Sequence, residues 1–135
     1  MATLQQAIAA IQAKALALEG MREAPDYAPE QLNVFPFAVT YAGSGRWEQM
    51  AGWKRGLHTV VTEIHIARKD LPRDISTAMP YCETFPNSLL ADPTLGGVID
   101  AINDVSYVFG PLDWGQTKTI GFRFSITLKQ QSSIT

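Results

Sequence analysis

Glu63 and His65 stand two residues apart in a stretch where apolar and polar residues alternate, so both side chains share one strand face and can approach as acid and base. The sequence marks no nucleophile or third member beside them. A polar pair on a strand surface more often faces solvent or a neighbouring subunit, and that is the reading adopted. Cys82, the single cysteine, sits beside Tyr81 and Phe85 in a helical region and is expected to be a buried, inert thiol. Asp70, Asp74, Asp100 and Asp104 do not assemble a calcium-loop pattern, and no other metal-ligand spacing occurs. The glycines of 43–45 make no phosphate loop, because no Gly-Lys-Ser/Thr follows them and no helix opens behind them. Catalysis, a metal and a cofactor are therefore not expected.

The one concentration of recognition chemistry is Arg46, Trp47, Trp53, Lys54 and Arg55, set among four glycines at positions 43, 45, 52 and 56. Arginine and tryptophan supply large contact area and directional hydrogen bonds at interface hot spots. The plain alternative is that one tryptophan folds onto the core while the bases solubilise a turn. Stacking on single-stranded nucleic acid is disfavoured by charge: 11 Lys+Arg stand against 13 Asp+Glu, a net charge of -2. Only 18% of residues are charged and 46% are hydrophobic, so much surface is left for contact with other protein. One cysteine excludes an internal disulfide, and two histidines are too few for a histidine cluster. No targeting segment or membrane span is read from the chain, and a soluble protein of a reducing cytoplasm is expected.

The elements that must position these residues follow from periodicity. Leu4, Ile8, Ile11, Ala15 and Leu18 form one apolar stripe of a helix over 4–19, with Gln5, Gln12, Lys14 and Glu19 opposite. Thr3 and Gln6 fit a capping box, and Gly20 is placed to end the helix. A strand is predicted over 32–42, with Phe35, Phe37, Val39 and Tyr41 on one face and Pro36 at an edge or a strand start. Positions 43–56 read as a loop and 57–67 as a second strand. Positions 70–91 read as helix broken by Pro72, Pro80 and Pro86, with prolines near the starts of new segments. Asp92-Pro93 and Gly96-Gly97 end that region. The stretch 98–109 is ambiguous, with strand favoured in its second half, Gly110-Pro111 as a break and 113–115 as a hairpin turn. The strand of 117–129 alternates most regularly, and 130–135 reads as a loose polar tail. The order implies one α+β domain over 1–135: a mainly antiparallel four- to five-stranded sheet with an N-terminal helix and a second helical region packed on it.

Three stretches together resemble the tail terminator (tail completion) proteins of long-tailed bacteriophages, especially those of actinobacterial hosts. Positions 88–97 (SLLADPTLGG) are similar to that family's helix-to-glycine passage, 107–114 (YVFGPLDW) with 121–128 (GFRFSITL) to its closing hairpin, and 56–61 (GLHTVV) to its central strand. The leading helix completes the order, while the prolines at 72, 80 and 86 are a departure. The resemblance implies a non-enzymatic subunit of the virion neck, assembled in the host cytoplasm. It would close into a hexameric ring that caps the head-proximal end of the tail tube and ends its polymerisation. The tail tube protein and a head-completion or stopper protein would be its partners, and genomic DNA would pass through the lumen without specific binding. A near-neutral chain suits such a lumen, since each phosphate contact adds affinity. The alternatives are another neck component or a non-viral small binding or accessory domain.

Overall fold

The computed structural model describes residues 2–134. Thr3 accepts from the Gln6 amide at 3.2 Å and donates its own amide to Gln6 Oε1 at 2.7 Å, the capping box that opens α1 (Leu4–Leu16). The helix stops three residues short of the expected end. Its last turn tightens, with Leu18 N donating to Ala15 O, and Gly20 then takes φ +82° where the chain reverses. A linker leads past Pro36 into β1 (Phe37–Gln49), followed by β2 (Trp53–Ala67), α2 (Leu71–Ala78), α3 (Tyr81–Leu90), β3 (Ala101–Trp114) and β4 (Thr117–Ser133). The strands form one antiparallel sheet in the order β1-β2-β4-β3, and the helices pack on one face, an α+β fold.

Alternation sorts the sheet residues. Val60, Ile64 and Ile66 of β2 and Phe122, Phe124, Ile126 and Leu128 of β4 meet Ile8, Ile11 and Ala15 of α1 and Phe85 and Leu89 of α3. Phe85 and Phe124 lie 4.9 Å apart and Phe122 stacks on Phe124 at 5.4 Å, so this layer gains aromatic packing beyond burial alone. The opposite face carries a smaller cluster, in which Leu32, Phe37 and Val39 pack with Val34, Phe35 and Trp114. Gly121 is required at the seam, because a Cβ there would overlap the Ile64 carbonyl.

Five expectations are corrected. Positions 43–56 are no loop: β1 runs on to Gln49 and β2 begins at Trp53, so only the tight turn around Gly52 separates them. The first strand starts at Phe37, because Pro36 lacks an amide and the strand opens beyond it. Gly110-Pro111 does not break β3, an edge strand in which a missing donor is tolerated. The tail is strand through Ser133, since β4 continues alongside β2; Thr135 lies outside the described residues. Pro72 and Pro80 sit at helix starts as expected, but Pro86 lies inside α3.

Gln12 also departs from its expected place. It is 1% exposed, donating to Pro25 O at 2.8 Å and Ala38 O at 2.9 Å and accepting from Thr40, which bonds Thr62. The helix stripe is wider than its apolar residues because this amide satisfies backbone carbonyls under the helix.

Candidate functional site

At one end the sheet runs past the helices as a three-stranded arm, built from the second half of β1, the start of β2 and the end of β4. The register sets Trp47 opposite Gly56, Glu48 opposite Arg55 and Gln49 opposite Lys54, while Gly56 faces Gln130 on the other side. Alternation therefore divides the five expected residues between two faces. On the helix-side face the Lys54 ammonium lies 4.2 Å from the centre of the Trp47 ring. That ring meets His58 edge-on at 4.6 Å. On the reverse face Glu48 sits between Arg55 at 3.3 Å and Arg46 at 3.9 Å. Trp53, two residues from Arg55, belongs to this reverse face.

These contacts are weak in water. An exposed cation–π pair contributes about 0.5–1 kcal/mol, and surface ion pairs about 0–1 kcal/mol. They hold the side chains in place rather than hold the fold together. Trp47 remains 44% exposed and the β1 part of the arm is exposed nearly throughout. His58 carries the arm's packing. A Cβ at Gly45 or at Gly56 would collide with its ring, so both glycines make room for the imidazole. Burial pushes the His58 pKa down, which favours the neutral ring. Its Nε2 is buried without a partner among the described residues, as is Gln130 Oε1.

Glu63 and His65 lie on the reverse face near the other end of the sheet, and they are not the surface pair, facing solvent or a neighbouring subunit, that was expected. His65 is fully buried and Glu63 is 2% exposed, because Trp114 and the segment before β1 cover that face. His65 Nε2 stands 2.9 Å from Glu63 Oε1, and neither atom has another partner among the described residues. His65 Nδ1 is hydrogen-bonded to Thr119 Oγ1. Tyr41 donates to Glu63 Oε2, which also accepts from Arg123 Nε at 3.3 Å. Burial pushes the Glu63 carboxyl up, but the hydrogen bonds from His65 and Tyr41 and the charges of His65 and Arg123 outweigh it. The net result is a pKa below the usual carboxylate value. Burial, with Glu63 beside it, raises the Tyr41 phenol to about 12.

The order hydroxyl, imidazole, carboxylate is that of an activated nucleophile. Thr119, however, is fully buried, and Trp114 lies 6.1 Å from His65 and donates Nε1–H to Pro29 O at 2.7 Å, closing the site. No substrate carbonyl reaches the hydroxyl, so the network ties β1, β2 and β4 together. Thr119, Tyr41 and Arg123 were not legible as its members, because the pairing register alone brings them there.

Cys82 is half-buried rather than buried, beside the phenol of Tyr107. A cleft of about 440 Å³ between the end of α1 and the α2–α3 turn is lined by Glu19, Gly20, Pro36, Thr77, Pro80, Tyr81 and Thr84. The Tyr81 hydroxyl there donates to Glu19 O at 3.0 Å. Among the described residues no three His, Cys, Asp or Glu side chains could hold a metal ion, and no helix is long and apolar enough to cross a membrane. Compared with known proteins, the chain matches no family model and no curated protein.

Proposed function

We propose that this chain is a structural assembly subunit of the phage tail terminator kind, one that closes into a ring on the end of a tail tube. The observation that carries this reading is the arm. Three strands extend beyond the helices and expose Trp47 and Arg46, with the ion-paired Arg55 half-buried beside them. An aromatic and arginine surface of this kind fits a protein interface. The burial of the Glu63–His65–Thr119 network favours a structural role for it over chemistry. A slightly acidic chain also suits a lumen through which DNA slides without being held.

In this reading the partners are further copies of the chain, the tail tube protein and a head-completion or stopper protein. The test is electron microscopy of the protein mixed with polymerising tail-tube subunits of its own virus. Capped tubes of fixed length are expected, and unaltered tube growth rejects the terminator role. Rings without capping would favour another neck component. Trp53→Ala with Arg55→Ala is expected to abolish capping or ring assembly, and retention of both would remove the arm from the interface.

A further inference from the structure

The sheet has two open edges, β1 on one side and β3 on the other. Open edges present unpaired amides and carbonyls, and proteins blunt them with proline, charge or bulges. In β3 a bulge lies between Ile102 and Asp104 and Pro111 lies further on, leaving a straight run from Asp104 to Gly110. Within it Tyr107 is 54% and Val108 69% exposed, on opposite faces, so this stretch is not blunted. In β1 a bulge between Ala42 and Ser44 opens a second run of similar length, Ser44–Gln49. The earlier part of the β1 edge is already taken, since Glu23 bridges Phe37 and Ala38 N donates to Glu23 O at 2.9 Å.

The two free runs differ in charge. The arm from 43 to 56 holds Arg46, Lys54 and Arg55 against Glu48 alone, whereas 98–116 holds Asp100, Asp104 and Asp113 and no base. Asp113 is in register with Lys118, which leaves Asp100 and Asp104 as the acids near the free run.

We infer that the arm edge Ser44–Gln49 of one copy pairs antiparallel with the β3 edge Asp104–Gly110 of a second copy, basic arm against acidic edge. The contact uses two different patches, so it propagates head to tail, the arrangement from which a ring forms when the rotation closes. Main-chain pairing supplies affinity and the charges supply register. Because all neighbouring strands are antiparallel, β1 and β3 run in opposite directions. A copy carried round by rotation therefore presents its β1 antiparallel to β3 without being inverted. Arg46 is level with Ala101 through Leu57 and Lys129. Seating the arm near Tyr107 thus offsets adjacent sheets along their strands, the stagger that closed, tilted strands require. The inference rests on the ring-forming reading above and names its contact.

The test compares wild type, Arg46→Glu/Arg55→Glu and Asp100→Lys/Asp104→Lys by mass photometry and negative-stain microscopy at rising concentration, each alone and the two variants mixed. Wild-type rings are expected, with neither variant assembling alone and rings returning in the mixture, where each reversed patch meets its complement. Recovery on mixing also demonstrates that both variants fold. Rings persisting in either variant alone overturn the edge pairing while leaving ring formation standing. Absence of rings in the mixture overturns it as well. A wild type that stays monomeric, alone and with tail-tube subunits, overturns both.

Discussion

Glu63 keeps its charge in a buried setting because two hydrogen bonds and a guanidinium compensate for lost water. A carboxyl whose pKa is lowered by folding stabilises the fold fully above its ordinary value of 4.5. That contribution is lost as pH falls through the lowered value. Glu63→Gln is therefore expected to cost about 2 kcal/mol at neutral pH, the scale of hydrogen bonds to a charged group. The difference from wild type should vanish in acid, as urea melts at several pH values will measure. His58, whose pKa is also lowered, adds an acid-labile contribution common to both proteins, so the difference curve isolates Glu63. The shared face of Glu63 and His65 was legible, because alternation alone dictates it. Their burial was not. It depends on Trp114 folding across from the β3–β4 hairpin and on the segment around Leu32, neither of which has a periodicity that announces it.

Glycines among strand residues ordinarily mark a loop, and the arm shows why that rule misleads here. Gly45 and Gly56 are strand residues whose missing Cβ leaves space for the His58 ring, against which Trp47 rests. Gly56→Ala is expected to displace the imidazole and release Trp47. Tryptophan emission should shift to the red while far-ultraviolet circular dichroism stays nearly unchanged. An unshifted spectrum would show that Trp47 does not depend on His58. The helices were easier to read than this hairpin: the Thr3–Gln6 box and the stripe of Ile8, Ile11 and Ala15 are local signals and sit where periodicity puts them. The alternation ends the final strand at Lys129, because Gln130–Ser133 look polar. Gln130 is in fact fully buried, with its amide donating to Thr3 O at 2.8 Å.

For the molecule as a whole, the low charge density leaves apolar side chains exposed on the arm and the β3 edge as well as on the helices. Exposed large apolar side chains are spread over the surface, and Trp47 on the arm and Tyr107 and Val108 on the free β3 edge are among them. If charge helps to join those surfaces, assembly should weaken as salt rises, because the screening length is already about 10 Å at 0.1 M. Light scattering across a salt series measures this, and salt-independent assembly would show that charge does not join the two surfaces. The fold class was visible in the order of elements; the arm was not, since its existence depends on how far β4 follows β2.

That same β2–β4 pairing has a kinetic consequence. The β1–β2 and β3–β4 hairpins each close through a short turn, but β2 and β4 are joined only after α2, α3 and β3 have been made. Loop-closure entropy makes this central pairing the slow step. Until it forms, β2 and β4 are each paired on one side only and leave long inner edges rich in valine, isoleucine and phenylalanine open, so the nascent chain passes through its most aggregation-prone moment just before it becomes most stable.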